Sequence, residues 1–125
     1  MFKRIDHVEI TTSDIDRAIS FYTEVFGFVL KERFKPSAPD IEEIAFVTLN
    51  DTMLELLQEK GPAPAATGPQ IGYRMMAIEV GDMDQAIEFL KRKGINVVWG
   101  PVTMGKSRRA EITDPDGLKI ELRQW

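Results

Sequence analysis

The stretch HVEITTSDIDRAISFYTEVFG (His7–Gly27) is echoed 68 positions later by MMAIEVGDMDQAIEFLKRKG (Met75–Gly94), with Asp14 and Asp82, Ala18 and Ala86, and Phe21 and Phe89 in register. Such a duplication constrains the fold more than any single motif, because each copy must build the same supersecondary unit. In the first copy, Ile5, His7, Glu9 and Thr11 alternate with Val8 and Ile10, the period of a strand with two unlike faces. Ser13 and Asp14 offer helix N-cap oxygens; Ile15, Ala18, Ile19, Tyr22 and Phe26 follow at helical spacing, and Gly27 supplies a C-cap. Strands are predicted at 28–34, 44–49 and 52–58. In the second copy, Met75, Ala77 and Glu79 alternate with Met76, Ile78 and Val80. Asp82 caps a helix with the stripe Met83, Ala86, Ile87 and Leu90, ending at Gly94. Strands are predicted at 95–99, 108–113 and 118–123, with DPDG (Asp114–Gly117) as a tight turn. Glu55 in LEL and Glu121 in IEL lie 66 positions apart.

The implied fold class is α+β: two tandem βαβββ modules, 1–60 and 73–125, joined by the linker GPAPAATGPQIG (61–72) within one domain. One such module buries too little surface to cover both faces of its sheet. The expected solution is a curved mixed β-sheet with helices on its outer face and the uncovered faces around a cavity. Chemistry is then sought in that cavity.

Composition removes several alternatives. The net charge of −4 gives no electrostatic ground for binding nucleic acid or an anionic membrane. No apolar run approaches the roughly 18–20 residues of a membrane span, and MFKRIDHVEI has no signal-peptide pattern, so a cytoplasmic location is expected. The absence of cysteine excludes disulfides, thiolate metal sites and cysteine nucleophiles.

Alternation places Val8 and Ile10, Leu54 and Leu56, and Leu118, Ile120 and Leu122 toward the helices. His7, Glu55, Met75 and Glu121 therefore face the cavity side. Imidazole nitrogen and carboxylate oxygens suit a divalent ion such as Zn²⁺, Ni²⁺, Mn²⁺ or Fe²⁺. The blander readings stand beside this one: a strand histidine hydrogen-bonded in an inert pocket, glutamates on a solvated face, and Met75 as pocket wall. Glu9, Glu79, Arg109, Glu111, Lys119 and Arg123 share the open side. Substrate contacts are expected at Met75, Arg109, Glu111 and Arg123, the arginines recognising a carboxylate or phosphate. WGPVTMGKSRR (99–109) and KPSAPDIEE (35–43) read as mobile loops, and Trp99 as core or pocket wall.

The combination of HVEITTSDIDRAISFYTEVFG, LELL, AIEVGDMDQAIEFLKRKG and DPDGLKIEL resembles the vicinal oxygen chelate superfamily, which includes glyoxalase I, bleomycin resistance proteins and extradiol dioxygenases. The resemblance implies metal ligands at the positions of His7, Glu55, Met75 and Glu121. Methionine is a soft, weak ligand for these ions, which leaves His7, Glu55 and Glu121. As His7 is the only histidine, a triad of two histidines and one carboxylate is not available. The chemistry implied is a glyoxalase-like lyase or isomerase reaction on a small carbonyl or thioester compound, with Glu55 or Glu121 moving a proton. The alternative is a metal-free module that binds a drug or antibiotic, as bleomycin resistance proteins do. A homodimer is the assembly the resemblance implies.

Overall fold

Each copy of the repeat folds as βαβββ in the computed structural model, which describes residues 1–125. The first compact unit, Met1–Pro64, holds β1 (Val8–Thr12), α1 (Ile15–Phe26), β2 (Val29–Phe34), β3 (Ile41–Leu49) and β4 (Thr52–Glu59). The second, Ala65–Trp125, holds β5 (Met76–Glu79), α2 (Met83–Arg92), β6 (Trp99–Met104), β7 (Ser107–Thr113) and β8 (Lys119–Gln124). The sheet orders are β1-β4-β3-β2 and β5-β8-β7-β6, the same path traced twice. In both, the first and last strands of the unit pair in parallel and the other pairs are antiparallel. The fold is α+β, as the alternation of patterns implied. No helix is long and apolar enough to cross a membrane.

The two units secure their helices by the same device. Asp14 accepts from the Arg17 amide and Asp82 from the Gln85 amide, each satisfying a donor that a helix N-terminus leaves open. One residue beyond each cap, the Ile15 amide donates to Gln58 and the Met83 amide to Gln124, at 2.8 and 2.7 Å. Gln58 ends the series Leu54, Leu56, Gln58 on one face of β4, and Gln124 ends Ile120, Leu122, Gln124 on one face of β8. The helix of each unit therefore lies on that face. Glu55, Glu121 and Arg123, of the other parity, point away from it.

Beneath the helices Tyr22, Val47 and Leu56 are fully buried in unit one, and Met83, Ile112, Ile120 and Leu122 in unit two. Burial of each aliphatic side chain among these contributes about 1.5–3 kcal/mol. Phe21, Tyr22, Phe26 and Phe28 form a chain of edge-on and tilted ring contacts around the end of α1.

One segment departs from expectation. WGPVTM was read as part of a mobile loop, with a strand at 95–99 before it; instead Trp99–Met104 is β6, the edge strand paired with β7. The register shifts between Trp99 and Val102, so Gly100 and Pro101 occupy an irregularity where a ladder tolerates residues that normally break it. Gly100 has φ +80°, and a Cβ there would lie 2.5 Å from the Arg109 carbonyl oxygen. A glycine is required by both the torsion and the space. A Gly-Pro pair signals a break in isolation; on an edge strand it makes a bulge.

Candidate functional site

The uncovered face of unit one gathers an imidazole and two carboxylates. Register sets Glu9 beside Glu55 across β1 and β4, and Glu55 beside Phe46 across β4 and β3. His7 stands two residues before Glu9, just ahead of β1, and its Nε2 lies 2.9 Å from Glu55 Oε2 and 3.7 Å from Glu9 Oε1. One ligand atom from each of His7, Glu9 and Glu55 falls within 4.8 Å of the other two. The Phe46 ring meets the imidazole edge-on at 5.9 Å and stacks with Phe34. Glu55 is buried, and Glu9 is exposed.

The electrostatics of this cluster follow from its partners. His7 Nδ1 is 2.8 Å from Asp6 Oδ2, so both ring nitrogens face carboxylates. The Asp6 hydrogen bond, aided by the charge of Glu55, raises the His7 pKa above its ordinary value. Burial pushes the Glu55 carboxyl up, and the neighbouring Glu9 charge adds to that rise. An imidazole and two carboxylates packed this closely form a donor set that a cation can join. The donor set is one nitrogen and two oxygens, with no thiolate or thioether, which fits a borderline or hard divalent ion. The Asp6 contact on Nδ1 is of the kind that orients an imidazole whose other nitrogen binds a metal.

Unit two carries different chemistry on the corresponding face. Register pairs Arg109 with Arg123 and Glu111 with Glu121 across β7 and β8, two like-charge pairs side by side. Like charges directly opposite repel, so each pair needs counter-charges. Glu121 provides one: its Oε1 accepts from Arg123 Nε at 2.6 Å, and its Oε2 lies 3.6 Å from an Arg109 terminal nitrogen. Glu111 lies 3.6 Å from the Lys119 ammonium and 4.0 Å from Arg74. The Arg109 guanidinium sits over Trp99, 5.8 Å from the ring centroid, and that of Arg123 over Trp125 at 5.0 Å. Arg109 also contacts the Met104 sulfur, and its buried Nε has no hydrogen-bond partner. Met75 lies partly buried immediately before β5.

The residues singled out by sequence thus fall into two groups, His7 and Glu55 in unit one and Glu121, Arg109, Glu111, Arg123 and Met75 in unit two. Trp99, read as core or pocket wall, is an exposed platform for Arg109. Asp6, Gln58, Gln124 and Trp125 were not singled out. For the two glutamines a signal existed: they repeat at the 66-residue spacing of Glu55 and Glu121. Asp6 gave none, since strand alternation assigns it to the face opposite His7.

A family model for the Glyoxalase/Bleomycin resistance protein/Dioxygenase superfamily matches residues 4–122. The chain is 35% identical, over 98% of its length, to a protein of Arabidopsis thaliana named lactoylglutathione lyase GLX1, of which it spans only 44%. It is 34% identical to the lactoylglutathione lyase of Neisseria meningitidis serogroup A, covering 97% of this chain and 90% of that protein. Among solved structures it is similar to TnmS3, an antibiotic binding protein from Streptomyces sp. CB03234. That match has a TM-score of 0.79 and 25% identity, over 98% of this chain and 96% of the other.

Proposed function

This chain belongs to the Glyoxalase/Bleomycin resistance protein/Dioxygenase superfamily, and on that premise we propose that it is a glyoxalase-like lyase or isomerase. It moves a proton between carbons beside the carbonyl of a small carbonyl or thioester compound. The observation that carries this reading is the His7–Glu9–Glu55 cluster on the open face of unit one. His7 and Glu55 would hold a divalent ion (Zn²⁺, Ni²⁺, Mn²⁺ or Fe²⁺), with Glu9 in reach as a third protein donor. Such an ion supplies Lewis-acid stabilisation of negative charge on a carbonyl oxygen.

The chain's own residues do the rest. Glu55, whose carboxyl burial pushes up, is placed to take and return a proton. Asp6 holds the imidazole so that Nε2 faces Glu55. Phe46, stacked on Phe34, gives the imidazole an apolar neighbour on one side. Glu121, the other glutamate assigned by resemblance to ligation or proton transfer, is free for either only after releasing Arg109 and Arg123. The homodimer implied by the resemblance is checked by light scattering on the eluting protein.

Calorimetric titration of metal-free protein with Zn²⁺, Ni²⁺ and Mn²⁺ tests the site, with His7→Ala and Glu55→Gln as controls. Tight binding that both substitutions weaken is expected; wild-type binding in both variants contradicts the site. Lactoylglutathione, the compound in the relatives' names, is the first substrate to assay. A second reading, a metal-free antibiotic-binding module, draws on the TnmS3 likeness and on Met75 at a position the family resemblance assigns to a ligand. A thermal shift with apolar ligands and none with any of the three metals favours that reading.

A further inference from the structure

Unit two presents a guanidinium pair that the proton chemistry above does not use. Arg109 and Arg123 face each other across β7 and β8, each about a quarter exposed, so neither is sealed in the core. The side chains are restrained from two sides, by the faces of Trp99 and Trp125 and by the oxygens of Glu121. Restraint of this kind lowers the entropy lost when a guanidinium binds a ligand. A carboxylate fits, because one already sits there: a single Glu121 oxygen accepts from Arg123 Nε and lies 2.6 Å from one of its terminal nitrogens.

Arg109 also keeps an open donor: its buried Nε has no hydrogen-bond partner, whereas buried donors are normally paired.

We propose that the Arg109–Arg123 pair is a carboxylate-recognition site, with Glu121 as its internal occupant and Trp99 and Trp125 as its walls. A ligand carboxylate competes with Glu121 for the guanidinium forks or bridges their outer edges. As an anion site, the pair stands on unit two alone.

The molecule carries its own reporters, since its only two tryptophans are the two walls. Metal-free protein is titrated with succinate at constant ionic strength, following tryptophan fluorescence, with neutral succinamide as control. A saturable response to succinate and none to succinamide is expected. Arg109→Met and Arg123→Met should each raise the midpoint about tenfold or more, and Glu121→Gln should lower it several-fold by removing the competitor. Arg109→Lys and Arg123→Lys keep the charge without the fork and should fall between; they serve if a methionine variant fails to fold. An equal response to succinamide, or a midpoint within twofold of wild type in a folded methionine variant (or, where that fails to fold, no rise at all in its lysine counterpart), overturns the proposal. So does weaker succinate binding in Glu121→Gln. No metal enters this titration, so its failure is separable from failure of the cation site.

Discussion

Units one and two share a strand order, a helix cap and a glutamine lock, yet their open faces carry different groups. At matching positions the first sets Glu55 beside Glu9 and His7, and the second sets Glu121 beside Arg109 and Arg123. The helix-facing residues must fill a core in both copies, and remain alike: Leu56 and Leu122 are both buried. The residues facing away are free of that demand. On the readings proposed above, duplication held the scaffold constant while one face came to suit a cation and the other an anion. A glutamate at the same place in two copies does not do the same work, because its neighbours decide what its oxygens meet.

The equivalence of the cores is the strongest part of this comparison and has the largest expected effects. Leu56→Ala and Leu122→Ala, 66 positions apart, should each cost about 2–5 kcal/mol in urea unfolding. A cost under about 1 kcal/mol for either would break the equivalence. The contrast between the faces comes next. His7→Ala should weaken divalent-cation binding by more than about 100-fold, beyond what loss of an outer partner causes. Arg123→Met should leave it within a few-fold, and an equal loss in both variants would erase the contrast.

Smaller effects sharpen the comparison. Asp14→Ala and Asp82→Ala should each lower stability by about 1 kcal/mol, as loss of an N-cap does, in thermal unfolding. Unequal losses would show that the caps are equivalent only in geometry. In metal-free protein, the single imidazole should titrate by NMR above its ordinary value of about 6.5, and Asp6→Asn should bring it back down. The sign for stability follows. A histidine with a raised folded-state pKa stabilises fully below its unfolded pKa, and loses that contribution as pH rises through the folded value. A measured value at or below 6.5 would remove Asp6 from the account.

The scaffold was legible in the sequence because its signals are local and occur twice. Period-two alternation assigned Glu55 and Glu121 to the face away from the helices, and Asp14 and Asp82 marked both helix starts. Alternation gives a face, however, and not a neighbour across it. That Arg109 opposes Arg123 depends on the register of β7 against β8, which two hairpin strands fix only on pairing. The Trp99–Met104 strand was hidden for a different reason: Gly100 and Pro101 are breakers in a continuous strand and acceptable at an edge bulge. Asp6 reaches His7 from the irregular segment before β1, where strand parity no longer applies.

The division of labour can be read in one NMR experiment that follows the sole imidazole and the two tryptophan indoles together during titration of metal-free protein with Zn²⁺. The account predicts that the His7 resonances shift first and saturate while both indoles hold nearly still. A titration that moves the indoles and leaves the imidazole in place would put the cation in unit two, and contradict it.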